Sequence, residues 1–184
     1  TKNLRNVCLI SHGNAGKTSL CEALLYKAKA TDRLGKVLDG NTVSDYDAEE
    51  IKRKISINTT IEPLEWKGVK INIIDTPGYF DFVGEQIEGV EAADNAVIMV
   101  SGKSGVSAGT ERSWDFAQAK NMPVMFFINK LDDHKANYQK VLEELKDNFG
   151  KSVAPCLFPI KDGYYSGGVV YHPFISDLEA RTAV

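Results

Sequence analysis

The chain has 184 residues, enough to bury the core of one compact α/β domain. Its hydrophobic share of 43% and charged share of 26% are ordinary for a globular protein. A net charge of -3 excludes a global basic field that would draw it to nucleic acid or to an anionic membrane. Any such contact would have to be local, and the run Lys52-Arg53-Lys54 reads as solvated loop charge.

Residues 4–10 form a short apolar run that predicts a buried strand. Residues 11–15 are a small-residue turn, and residues 16–29 carry helical spacing through Leu20, Ala23, Leu24 and Lys27. Residues 30–58 are long and polar, with Gly35, Gly40, Asn41, Ser44 and Asp45 breaking any period, which predicts a loop of the functional or mobile kind. Residues 59–66 and 69–74 read as strands of an antiparallel hairpin turning at Lys67-Gly68. A helix over 84–93, a buried strand over 96–100, a helix over 110–120 and a strand over 124–128 follow. Residues 137–149 predict an amphipathic helix stopped by Gly150, and residues 153–160 a sixth strand whose Pro155 and Pro159 point to an edge or to strand ends. The fold class expected is α/β: a mostly parallel six-stranded sheet, helices on both faces, one antiparallel pair.

Cys8, Cys21 and Cys156 form no C-x-x-C pair; Cys8 and Cys21 read as buried free thiols, which suits a reducing compartment. The sequon Asn58-Thr59-Thr60 carries no weight there. The first five residues lack the apolar core of a signal peptide, and no apolar run nears the ~18 residues of a membrane span. The expectation is a cytoplasmic protein, monomeric, with no membrane partner.

In a parallel sheet, ligands bind beyond the carboxyl ends of the strands. Three motifs follow Ile10, Ile74 and Ile128. The first, Ser11-His12-Gly13-Asn14-Ala15-Gly16-Lys17-Thr18, fits G-x-x-x-x-G-K-[ST] except that Ser11 replaces the first glycine. Small residues let backbone N–H groups curve around phosphate oxygens, and the following helix turns its positive end toward them. Gly13, Asn14, Ala15, Gly16, Lys17, Thr18 and Ser19 are therefore the expected nucleotide contacts. Lys17 would reach the β- and γ-phosphates and assist catalysis, while the Thr18 hydroxyl would ligate Mg²⁺.

The second motif, Asp75-Thr76-Pro77-Gly78, lies 58 residues after Lys17. Asp75 can hold Mg²⁺, usually through water, and Gly78 allows its N–H to approach a γ-phosphate. The third is Asn129-Lys130-Leu131-Asp132. An Asp carboxylate only accepts hydrogen bonds, so Asp132 suits the N1–H and N2–H₂ donors of guanine and has no equivalent match on adenine. Asn129 can bond the base's other edge and brace the phosphate loop, and Lys130 can lay its stem along the purine. GTP or GDP with Mg²⁺ is the expected cofactor pair; an ATP-using phosphate-loop enzyme is the alternative against which Asp132 speaks.

Together these motifs, with the continuation Tyr79-Phe80-Asp81-Phe82 and the segment 101–114, resemble translational GTPases, most closely elongation factor G and its paralogues. The resemblance implies a first switch within 30–58, a second switch from Gly78 onward, GTP hydrolysis, and the ribosome as partner. It also implies that Ser56, in Arg53-Lys54-Ile55-Ser56, stands where the family carries its Mg²⁺-ligating threonine. Tyr79 stands where the main translocase has a water-positioning histidine; this argues for the elongation factor G-like paralogues. Tyr79 can orient water but is a poor proton acceptor, so it reads equally as catalytic or as packing, and a guanine-nucleotide module with little hydrolysis is the competing function. Asn14 replaces the family's usual Asp, which alters the charge beside the nucleotide. His12 is read as structural, and His134 and His172 as surface residues without metal partners. The family's final base-pocket turn is absent. Residues 1–160 are therefore expected to be an N-terminal G domain, and residues 161–184, with a hairpin-like Gly167-Gly168-Val169-Val170, the start of an insertion in a larger factor.

Overall fold

A computed structural model describes residues 3–162 and 165–171. They fall into two units, Thr1–Val100 with Ser107–Phe127, and Ser101–Val106 with Ile128–Val184.

One sheet has the strand order β2-β3-β1-β4-β5. Its members are β1 (Leu4–Ile10), β2 (Thr60–Trp66), β3 (Val69–Asp75), β4 (Asn95–Ser101) and β5 (Val124–Asn129). β1 runs parallel to both β3 and β4, and β2 pairs antiparallel with β3 across the expected hairpin. Central strands buried on both faces read as unbroken apolar runs: Cys8, Leu9 and Ile10 in β1, and Ala96 through Val100 in β4. The edge strand β2 alternates instead, with Thr60, Glu62 and Leu64 inward. Pro63 is tolerated there because an edge strand has a side that needs no N–H donor.

The first unit adds α1 (Lys17–Lys27), α2 (Ala48–Arg53), α3 (Val83–Ala92) and α4 (Ala108–Ala119). Its core joins Leu9, Val97 and Met99 of the sheet to Ala15, Cys21 and Leu25 from the phosphate loop and α1. Cys8 and Cys21 are buried free thiols, as expected, and Cys156 is exposed. The second unit contains α5 (Tyr138–Phe149), which buries Val141, Leu142 and Leu145 and ends at Gly150 with φ 102°.

Two expectations are corrected. The main sheet has five strands, not six. The sixth segment, β6 (Leu157–Asp162), pairs antiparallel with β7 (Tyr165–Tyr171) in a separate two-stranded sheet. In a two-stranded sheet every strand is an edge, the setting that a proline such as Pro159 tolerates. Gly167 through Val170 lie within β7, one strand of this antiparallel pair. His172 lies outside the described residues.

The segment 30–58 is also more ordered than a bare loop. It holds a 3₁₀ turn (Val37–Asp39) and α2. Asp47 Oδ1 accepts from Glu49 N at 2.8 Å and Glu50 Oε2 accepts from Asp47 N at 3.1 Å, a reciprocal N-terminal cap.

Candidate nucleotide-binding site

The phosphate loop follows β1 directly. Ser11, in place of the usual first glycine, is buried and its hydroxyl donates to the Met99 carbonyl, tying the start of the loop to β4. The loop then curls through two left-handed residues, Asn14 (φ 63°) and Gly16 (φ 97°). Asparagine tolerates that conformation better than most side chains. Lys17 is buried, and its Nζ donates back to the His12 carbonyl at 3.2 Å. Burial pushes its ammonium below the usual lysine value, while Asp75 acts in the opposite direction. Gly109 of α4 packs on this loop so closely that a Cβ there would lie 2.6 Å from His12 Cβ. His12 Nδ1 bonds the Gly13 carbonyl at 2.5 Å, so His12 is part of the loop's own framework. Ser19, one residue beyond Thr18, is exposed.

Three of the expected metal and phosphate residues converge. The Thr18 hydroxyl donates to Asp75 Oδ2 at 2.7 Å, and its oxygen lies 3.1 Å from Ser56 Oγ. Asp75 is 1% exposed, and burial raises its carboxyl to about 7 against the pull of Lys17 and Thr18. Its Oδ1 is buried with no hydrogen-bond partner.

Asp45, which sequence reasoning passed over, joins the same set. It is 4% exposed, and neither carboxylate oxygen has a donor at bonding geometry, although the Ser56 hydroxyl lies beside it. Burial raises its carboxyl above the ordinary aspartate value, and it interacts electrostatically with both Lys17 and Asp75. Unpartnered buried carboxylate oxygens are costly unless a cation compensates them. Two carboxylates and two hydroxyls are hard oxygen donors of the kind Mg²⁺ takes. Among the described residues no cluster of three or more His, Cys, Asp or Glu closes a metal site. Mg²⁺ takes about six oxygen ligands, so these donors would share it with water and phosphate oxygens. These residues fit Mg²⁺.

The buried Glu22 and Glu50 and the half-buried Glu85 hold the polar segment between α1 and β2 in place. Glu22 of α1 accepts from Gly35 N at 2.8 Å and Val43 N at 2.5 Å, spanning the loop on either side of the 3₁₀ turn. Glu50 Oε1 accepts from Ile57 N and Asn58 N, at 2.9 and 3.0 Å, just past Ser56. Glu85 accepts from Thr59 N at 2.6 Å. Each carboxylate satisfies N–H groups that a polar segment would otherwise leave without partners.

After β3 the chain lies directly against the phosphate loop. A Cβ on Gly78 would sit 2.6 Å from His12 C, His12 O and Gly13 N, all backbone atoms, so only glycine fits. Gly13 faces the Tyr79 ring, where a Cβ would come 2.9 Å from Cε2. Asn14 Nδ2 donates to the Tyr79 hydroxyl at 3.3 Å. Phe80 is covered by the Arg112 guanidinium, 3.6 Å from its ring centroid, a cation–π contact from α4.

The third motif belongs to the second unit. Gly102 N donates to the Asn129 carbonyl at 2.7 Å, and Asn137 N donates to the Gly102 carbonyl at 2.9 Å. Lys130 adopts φ 59°, turning the chain sharply. Asp133 is committed to structure: it accepts from Lys135 N at 2.9 Å and pairs with Lys103 at 3.1 Å, and these contacts hold it below the usual carboxylate range. Asp132 is exposed and makes no ion pair or hydrogen bond among the described residues. Of the two adjacent aspartates, Asp132 is the one available to a ligand.

Strand, glycine-containing loop, Lys-Thr and an aspartate at the end of a neighbouring strand define a phosphate-loop nucleotide-binding domain of the α/β class. The chain belongs to the elongation factor Tu GTP binding domain family, which it matches over residues 2–178. It is similar to an elongation factor G-like protein of Mycobacterium tuberculosis, 41% identical over 160 residues, covering 87% of this chain and 22% of that protein. A second elongation factor G-like protein, from Thermotoga maritima, is 36% identical over 169 residues, covering 92% and 24%. A mitochondrial ribosome-releasing factor 2 of Culex quinquefasciatus is 36% identical over 169 residues, covering 91% and 23%. A crystal structure of a protein from Thermus thermophilus superposes with a TM-score of 0.89 at 38% identity, over 93% of this chain and 26% of that one. The chain thus spans about a quarter of the length of the relatives it matches. No helix among the described residues is long and apolar enough to cross a membrane.

Proposed function

We propose that this chain is the guanine-nucleotide switch of an elongation factor G-like translational GTPase, binding GTP or GDP with Mg²⁺ and hydrolysing GTP. The observation that carries this reading is the convergence of Thr18, Ser56, Asp75 and Asp45 beside Lys17, with three buried carboxylate oxygens lacking partners. When bound, Mg²⁺ neutralises charge on the phosphate oxygens. Thr18 and Ser56 would offer it their hydroxyls, and Asp75 and Asp45 would hold its waters. Lys17, already partly desolvated, is a strong electrostatic partner for phosphate because little water screens it. The Gly78 N–H and the loop's own N–H groups would cradle the terminal phosphate.

Tyr79 would orient the attacking water through its hydroxyl rather than accept the proton, since phosphoryl transfer depends mainly on positioning and charge. Asp132 would select guanine by accepting from its N1–H and N2–H₂ donors, with Asn129 and Lys130 completing the base contacts. The named relatives are an elongation factor G-like protein and a ribosome-releasing factor, which supports a ribosome as the partner that reads the switch. A second reading, a nucleotide module with little hydrolysis, draws on the Tyr79 hydroxyl being engaged by Asn14. Single-turnover GTP hydrolysis with and without ribosomes separates the two: ribosome-stimulated turnover supports the enzyme, and the absence of turnover in both supports the module.

A further inference from the structure

Gln86 shares the buried face of α3 with Gly89 and Val90, and it is 0% exposed. Its Nε2 donates to the Pro77 carbonyl at 2.6 Å, while its Oε1 is buried with no hydrogen-bond partner. The partner fixes which way the amide lies, because a carbonyl oxygen can only accept. A half-satisfied amide in a core is costly, and an apolar side chain of similar volume would fill the same space without that cost. The bond to Pro77 is what glutamine supplies here and methionine would not.

That bond sets the direction of a peptide plane. The Pro77–Gly78 peptide is trans, so its C=O and N–H point in opposite directions. With the carbonyl held by Gln86, the Gly78 N–H is turned away from that side chain. Gly78 is buried, and its N–H has no acceptor among the described residues. Buried backbone donors are nearly all paired in folded proteins. This unpaired one belongs to a residue whose Cβ would lie 2.6 Å from the His12 and Gly13 backbone, so it sits at the phosphate loop.

The chain on the other side of this peptide is held as well. Thr76 Oγ1 donates to the Leu9 carbonyl of β1 at 2.8 Å. Gly89 packs so closely on Thr76 that a Cβ there would lie 2.5 Å from Thr76 Cγ2. Thr76 is thus fixed by β1 and α3, Pro77 by Gln86, and Gly78 by the phosphate loop.

We propose that Gln86 is a positioning residue for the terminal phosphate: by holding the Pro77 carbonyl, it presents the Gly78 N–H to a γ-phosphate oxygen. The inference rests on the guanine-nucleotide reading above. A nucleoside diphosphate has no such oxygen, so Gln86 favours the triphosphate over the diphosphate while touching neither.

The test is calorimetric titration of wild type, Gln86→Met and Gln86→Leu with GDP and with the β,γ-imido analogue of GTP, both in Mg²⁺. Each substitution removes the unpartnered Oε1 together with the donor, so unfolding midpoints should stay near that of wild type. GDP affinity should change less than about twofold. The analogue should bind about tenfold or more weakly, the loss expected for one hydrogen bond to a charged group. In wild type the Gly78 amide proton should lie further downfield with the analogue than with GDP. Equal weakening of both nucleotides would make Gln86 a packing residue and overturn the proposal, as would unchanged affinity for both. Should neither variant fold, the wild-type resonance decides: a Gly78 amide at the same position in both complexes overturns the proposal. Wild type that binds neither nucleotide would overturn the guanine-nucleotide reading itself, and this inference with it, before any variant is compared.

Discussion

Asn14 Nδ2 donates to the Tyr79 hydroxyl at 3.3 Å, tying the segment after β3 to the phosphate loop at the point where the ring already packs on Gly13. Tyr79 is thus both packed and polar-anchored; the two roles weighed for it are compatible. Tyr79→Phe keeps the ring and removes only the hydroxyl. Single-turnover hydrolysis should fall about tenfold or more with GTP affinity little changed, because positioning of the water is lost and binding is not. Equal rates for Tyr79→Phe and wild type would leave the ring as a packing element alone.

Asp45 separates metal binding from stability. Replacing it with asparagine removes a buried charge that has no donor, so the metal-free protein should be as stable as wild type or more so. Mg²⁺ affinity in the nucleotide complex should fall by about 10- to 100-fold, the usual effect of losing an outer partner of a metal. Thermal unfolding in EDTA and nucleotide retention against Mg²⁺ concentration check the two halves. Loss of stability without loss of Mg²⁺ affinity would make Asp45 merely structural.

Asp132→Asn replaces an acceptor with a side chain that also donates. Guanine's N1–H and N2–H₂ then lose their paired acceptor, while xanthine offers a carbonyl in place of the amine. Competition binding should show GDP weakened by about 100-fold and xanthosine diphosphate gaining over it. Asp133, already committed to Lys103 and Lys135, should tolerate no such reading: Asp133→Asn should leave base preference unchanged.

Glu62 imposes a pH signature on stability. Burial, aided by the Glu22 charge, raises its carboxyl above the ordinary glutamate value of 4.5. Between that value and its raised one, the native state holds a proton that the unfolded state has released. Its contribution to stability is therefore full at low pH and lost as pH rises through the raised value. Unfolding midpoints for wild type and Glu62→Gln, measured from pH 4 to pH 8, should show the variant gaining on wild type as pH rises. A constant gap across that range would mean that Glu62 titrates normally.

Much of this fold was legible because its central strands are apolar on both faces: the runs at Cys8–Ile10 and Ala96–Val100 permit no other placement. The phosphate loop, Asp75 and Gly78 were legible for a related reason, since their chemistry is local and follows strand ends. The polar segment 30–58 was not. Glu22 and Glu50 accept from backbone N–H groups up to 21 residues away, as in the Glu22–Val43 bond, and Asp45 is buried within a polar stretch. No periodicity records such a contact. The Asp47-x-x-Glu50 cap is the local signal from which α2 could have been found. The misplaced sixth strand has a similar cause: β6 finds its partner in β7, and apolar content alone does not say which sheet a strand joins.

Guanine recognition with Mg²⁺ is tested most directly by calorimetric titration of the nucleotide-free chain with GDP and with ADP, each in Mg²⁺ and in EDTA. GDP should bind with Mg²⁺ at least about 100-fold more tightly than ADP, the discrimination a paired buried polar group supports, and chelation should weaken it. ADP binding as tightly as GDP, or GDP binding indifferent to Mg²⁺, would contradict the assignment of Asp132 or of the Thr18–Asp75 site respectively.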